Sequence, residues 1–116
     1  MPHLTIEYSR SLADQIDTKK LLKAIHSSID GCDGVDMNRV KSRLIAHDQV
    51  INGNDAHEIN MIHVTLAILS GRDLETKKSY GKALFVKLKE NVPESVRQSA
   101  SLTVEIRDME QACYFR

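Results

Sequence analysis

The second residue of the chain is a proline, and two further stretches carry cations that would suit it: "VKSRLIAHD", with Lys41 and Arg43, and "SGRDLE", with Arg72. Removal of the initiator methionine, usual before a small second residue, would leave Pro2 at the terminus as a secondary amine. A terminal amine titrates near ~8, and burial or nearby cations lower that value by disfavouring the ammonium form. Such a nitrogen takes and returns protons near neutral pH. The pyrrolidine ring also fixes its direction, which favours a near-attack arrangement.

Proline at position two is unremarkable alone, since it also blunts a sheet edge. The joint placement of the cations carries the reading. Lys41 and Arg43 are two residues apart, so they share one face of a strand expected to lie near the first. Arg72 stands where a strand gives way to a helix, a place where a guanidinium beside backbone N–H groups binds a carboxylate bidentately. Together they would bind an acidic substrate and stabilise an enolate.

Other chemistries find less support. Cys32 and Cys113 are too few for a disulfide framework, and His3, His26, His47, His57 and His63 show no paired ligand spacing with them. No Gly-rich phosphate loop and no G-x-S-x-G elbow occurs. Neither a metal nor a cofactor is expected. Sixteen basic residues balance sixteen acidic ones in 116 positions, so no global field recruits nucleic acid or an anionic membrane. The expected partner is a small anionic molecule. No apolar run is long enough for a membrane span and no secretory signal opens the chain, so a cytoplasmic protein is expected.

The elements that must position these residues follow from periodicity. In "PHLTIEY", Leu4, Ile6 and Tyr8 alternate with His3, Thr5 and Glu7, the period of a strand covered on one face. "DTKKLLKAIHSSIDG" sets Leu21, Leu22, Ile25 and Ile29 on one helical face, with Asp17 as N-cap and Gly31 or Gly34 as stop. "VKSRLIAHD" alternates again, which closes a β-α-β unit. After "QVINGNDAHE", where Asn52-Gly53 marks a turn, "INMIHVTLAIL" reads as a strand apolar enough to be central. A second helix follows, capped by Asp73, with Leu74, Gly81, Leu84, Phe85 and Leu88 on one face and Pro93 past its end. "SLTVEIRDM" is a fourth strand and "EQACYFR" a tail.

The halves agree in residues as well as order. His3-Leu4-Thr5-Ile6 matches His63-Val64-Thr65-Leu66, and Asp17-Thr18-Lys19-Lys20 matches Glu75-Thr76-Lys77-Lys78. A tandem duplication is expected: one domain over 1–116, with repeat one at about 2–48, repeat two at about 60–109 and a tail at 110–116. The fold class is α/β, a four-stranded, mainly parallel or mixed sheet with two helices on one face. The other face would carry His3, Thr5, Glu7, Lys41, Arg43, His47, His63, Thr65, Thr103, Glu105 and Arg107, and a polar subunit interface in a ring-like oligomer is expected there. Only the first repeat has a proline that a chain end can free. Ile62 holds the matching place in the second, its nitrogen tied to Met61.

"PHLTIEYS", "VKSRLIAHD", "HVTLAILSGRDLETKKSYGKALF" and the terminal "CYFR" resemble the 5-carboxymethyl-2-hydroxymuconate delta-isomerases of the tautomerase superfamily, related to 4-oxalocrotonate tautomerase. The resemblance implies a homotrimer, and cofactor-free movement of a proton through a dienol in the degradation of aromatic compounds. It assigns the catalytic base to Pro2 and a substrate carboxylate to Arg72. Lys41 falls where the family usually has arginine, so a point charge replaces a planar fork, and Arg43 is placed to compensate. Two alternatives stand beside it. One is hydration or dehalogenation of an unsaturated acid, with Glu7 activating water. The other is a non-catalytic binding or assembly module on the same fold.

Overall fold

The computed structural model describes residues 2–54 and 59–116. Met1 and the end of the "QVINGNDAHE" connection, His57 included, lie outside them. Strand β1 spans His3–Ser9, helix α1 Thr18–Ser27, β2 Lys41–His47, β3 Met61–Leu69, α2 Leu74–Glu90, α3 Glu94–Ser99 and β4 Ser101–Met109. The sheet order is β2-β1-β3-β4. β1 pairs with β2 and β3 with β4 in parallel, whereas the central β1–β3 pair is antiparallel, so the sheet is mixed.

Alternation works as read. Leu4, Ile6 and Tyr8 of β1 and Ile62, Val64, Leu66 and Ile68 of β3 are buried against the helices. β3 is central, as expected from its apolar run, yet only alternate residues are fully buried. Over its other face, as over that of β1, no helix lies among the described residues. The helices lie on one face, α1 against β2, α2 against β4, and the two against each other.

Both predicted caps form. The Asp17 carboxylate accepts from the Lys20 N–H at 3.0 Å and that of Asp73 from the Thr76 N–H at 2.8 Å, satisfying donors left over by the helix. α1 stops at Ser27, so the buried Ile29 belongs to the turn that follows. The buried stripe of α2 is Tyr80, Leu84 and Leu88. Leu74 and Phe85, expected on that stripe, are exposed instead: Leu74 opens the helix and Phe85 is one step, about 100°, round from Leu84. Gly81 brings the helix close to β4, where an added Cβ would lie 3.5 Å from Ile106.

Pro93 does end α2, and it also opens α3, which periodicity had not shown. A proline suits that place because it has no N–H to leave unpaired. Arg97 then ties α3 back, donating to the carbonyls of Lys89 at 2.8 Å and Val92 at 2.7 Å. No helix among the described residues is long and apolar enough to cross a membrane.

The uncovered face carries the polar residues read onto it. Registers set Lys41, His3, Ala67 and Arg107 in one row, then Arg43, Thr5, Thr65 and Glu105 in the next. Further along, His47 meets Glu7 at 3.0 Å and His63 meets the Thr103 hydroxyl at 2.6 Å.

Candidate active site

Pro2 directly precedes β1 and is buried. Its carbonyl accepts the Lys41 N–H at 3.0 Å, so pairing with β2 already holds the residue that would carry the amine. Because β1 and β3 run antiparallel, the start of β1 lies beside the end of β3, and the parallel partners add the start of β2 and the end of β4. The turn that holds Arg72 leaves from this same end.

Arg72 points into the helix layer. Its Nε donates to the Tyr80 hydroxyl at 3.2 Å, Nη1 to the Leu69 carbonyl at 3.2 Å and Nη2 to the Gly34 carbonyl at 2.9 Å. The Tyr80 ring lies under the guanidinium, 5.9 Å away, and its hydroxyl donates to the Asp33 carbonyl. Gly34 has φ +80°, and a Cβ there would stand 3.4 Å from Nη2. The backbone therefore favours glycine. Of the five N–H groups of a guanidinium, one on each terminal nitrogen has no acceptor among these partners, and a carboxylate fits that pair.

Lys41 and Arg43 lie on the other face. Both are exposed, and Arg43 donates from Nη2 to Nδ1 of His3 at 2.7 Å. The structure thus brings Pro2, Lys41, Arg43 and Arg72 to one end of the sheet but divides the cations. Arg72 is in the helix layer, and the strand pair is on the uncovered side. Strand alternation explains the division, since Pro2 and Leu4 share a phase while His3, Lys41 and Arg43 share the other.

Two residues beyond the predicted set join this end. His3 donates or accepts through Nε2 with Tyr114 Oη at 2.7 Å. Burial first, then Arg43 and Lys41, hold the His3 imidazole below its ordinary value, which favours the neutral ring. Tyr114 comes from the segment read as a tail. That segment is anchored: Gln111 donates to the Ser70 carbonyl at 2.5 Å and to the Ser70 hydroxyl at 3.3 Å. His3 was visible in the sequence as a neighbour of Lys41 on the polar face, but nothing in "EQACYFR" pointed to the site.

Arg10, given no role from the sequence, is at the opposite end of β1 in an ion pair with Asp48. Among the described residues no group of three His, Cys, Asp or Glu side chains is placed to hold a metal. What the Pro2 end offers is cations, phenols and an imidazole, a set suited to an anion and to proton transfer.

The family described as 5-carboxymethyl-2-hydroxymuconate isomerase matches residues 2–116. The 5-carboxymethyl-2-hydroxymuconate Delta-isomerase of Escherichia coli is 23% identical, covering 100% of this chain and 93% of that one. A crystal structure of a 5-carboxymethyl-2-hydroxymuconate isomerase from Deinococcus radiodurans R1 superposes with a TM-score of 0.88 at 24% identity, covering 99% of this chain and 87% of the other. A solved structure described as a fused 4-OT wild-type symmetric trimer gives 0.65 at 17% identity, covering 95% and 87%.

Proposed function

Since the chain belongs to the 5-carboxymethyl-2-hydroxymuconate isomerase family and is an isomerase, we propose that it moves a proton within an unsaturated 2-hydroxy or 2-keto diacid, with Pro2 as the acid-base group. The substrate would be 5-carboxymethyl-2-hydroxymuconate or a close analogue from the breakdown of aromatic compounds. The observation that carries the reading is Pro2 itself: buried, fixed to β2 through its carbonyl, and at the sheet end that also holds Lys41, Arg43 and Arg72.

In the proposed reaction the neutral amine takes the enol proton. The O–H electron pair becomes the carbonyl π bond, the conjugated double bonds shift, and a carbon further along takes the proton back from the ammonium. Nothing is oxidised or reduced. Arg72 holds one carboxylate with its two remaining N–H groups, while Lys41 and Arg43 favour the anionic intermediate. The nitrogen acts only when Met1 has been removed, because an amide has no useful basicity.

We also read the chain as a tandem repeat that assembles as a homotrimer, as the 4-OT structure is described. In such a ring the exposed Lys41 and Arg43 of one copy serve the site of a neighbour, which would reunite the cations that a single sheet keeps apart. The hydratase reading loses support: Glu7 is five residues along β1 from Pro2, roughly 17 Å at ~3.4 Å per residue, and it is engaged by His47.

The test is an ultraviolet assay of 5-carboxymethyl-2-hydroxymuconate conversion on protein whose intact mass confirms loss of Met1. Pro2→Ala is expected to lower kcat by about a hundredfold or more with a much smaller change in KM. Equal rates for variant and parent, or activity in a preparation that retains Met1 throughout, would reject proline as the base.

A further inference from the structure

We propose that Tyr114, on the C-terminal segment, donates a hydrogen bond to an anionic oxygen of the bound substrate, and that His3 and Arg43 are the residues that position it. This rests on the reading of the Pro2 end as the active site and, because His3 and Arg43 lie on the uncovered face, on the ring in which that face serves the Pro2 of a neighbouring copy.

The polarity of the contacts carries the argument. A guanidinium has only hydrogens to give, so the 2.7 Å contact from Arg43 Nη2 makes His3 Nδ1 the acceptor. A neutral imidazole with a bare Nδ1 carries its proton on Nε2. That proton is donated to Tyr114 Oη at 2.7 Å, so the phenol accepts there and its own hydrogen is left over. With a cation at the head of the chain, each bond polarises the next, and the phenolic O–H becomes the better donor.

The surroundings define what that hydrogen would meet. The Tyr114 ring stands edge-on to His3, with centroids 5.8 Å apart and planes at 67°. Gln111 is pinned to Ser70, and in the row from His3 to β4 the intervening residue is only Ala67, which leaves the phenol room to cross β3. On the opposite side of His3 is Lys41, its register partner, exposed and without an ion pair among the described residues. A hydroxyl donor and a free ammonium therefore flank one imidazole, as a carboxylate or dienolate requires.

Nothing facing His3 would hold a second proton on it. β2 presents Lys41 and Arg43, β3 presents Ala67 and Thr65, and β4 presents Arg107 with Glu105 bound to it at 2.9 Å. On β1 itself, Glu7 is held by His47. Protonated His3 would turn an Nδ1–H toward Arg43 and break the chain, so the contribution of Tyr114 is present when His3 is neutral and disappears as pH falls.

Steady-state kinetics of mass-verified protein with 5-carboxymethyl-2-hydroxymuconate test this. Tyr114→Phe is expected to lower kcat about tenfold to a hundredfold, the range for one hydrogen bond to a charged group. The ratio of parent to variant kcat should shrink toward one as pH falls below about 6.5, a comparison in which any titration of Pro2 cancels. His3→Leu should reproduce the loss without adding to Tyr114→Phe, and His3→Gln should recover part of it. An unchanged kcat for Tyr114→Phe, or a ratio constant across pH, overturns the assignment. Pro2→Ala is measured alongside. Impaired Pro2→Ala with a normal Tyr114→Phe sinks this inference alone, whereas a fully active Pro2→Ala with an impaired Tyr114→Phe sinks the proline reading instead.

Discussion

Tyr80 and Arg72 meet across the first turns of α2: the phenol oxygen accepts from Nε at 3.2 Å while its hydrogen goes to the Asp33 carbonyl. A core residue thereby aims a guanidinium on the other side of a turn. Tyr80→Phe leaves the hydrocarbon packing but strands a carbonyl and an N–H, and a loss of about 1–3 kcal/mol is expected. Urea denaturation measures it. KM for a diacid should rise with it, because Arg72 would no longer be held from below.

Arg72→Lys preserves charge and loses the fork. A lysine cannot reach the Gly34 and Leu69 carbonyls and also grip a carboxylate with two parallel bonds. KM is expected to rise about tenfold or more with a smaller change in kcat. An unaltered KM would remove Arg72 from the substrate site.

Gly34→Ala tests the same corner from the loop. Its φ of +80° strains an alanine by about 1–2 kcal/mol, and a backbone shift that relieves the strain would carry the Gly34 carbonyl away from Nη2, beside which the new methyl stands at 3.4 Å. Lower stability together with a raised KM is expected, whereas Gly31→Ala, with φ +85° and open space around it, should lose stability and keep its KM.

The effect of pH on stability has a definite sign at His3. Its folded value lies below the ordinary histidine value, so between the two the unfolded chain binds more protons. Stability is present above about 6.5 and is lost as pH falls through the folded value. Denaturation midpoints at pH 7.5 and 5.5 should show the loss, and His3→Leu should lessen it.

Gly81→Ala is expected to stabilise the protein. The site is within α2, the added Cβ makes an ordinary 3.5 Å contact with Ile106, and alanine favours helix by up to about 1 kcal/mol. A thermal midpoint below that of the parent would show that the α2–β4 spacing has no room for a methyl.

Much of the architecture was legible because it rests on local chemistry. Leu4, Ile6 and Tyr8 had to share a face, and Asp17 and Asp73 had to cap. Periodicity does not report which strand lies beside which, so the antiparallel β1–β3 pair was beyond it. It also smeared the stripe of α2, where Leu74 and Phe85 are apolar but exposed and Tyr80 carries the burial. For the candidate site, residue types suggested Pro2, Lys41, Arg43 and Arg72, and phase put Lys41 and Arg43 on the polar face, where they lie. The direction of Arg72 was hidden because a turn residue has no strand phase. Tyr114 was hidden because its partner is 111 positions away.

The antiparallel seam between β1 and β3 also decides where drift is tolerated. Ile62, which matches Pro2 in the proposed repeat, is opposite Tyr8, so the place where a twin amine would sit is at the far rim, roughly 20 Å from Pro2 at ~3.4 Å per residue. A 260 Å³ hollow edged by Ser9, Arg10, His47, Asp48 and Asn60 occupies that rim, with its arginine already neutralised by Asp48. If the chain is the tandem repeat proposed above, that rim has no terminal amine to serve, and substitutions such as Arg10→Ala are expected to spare the reaction that those beside Pro2 impair.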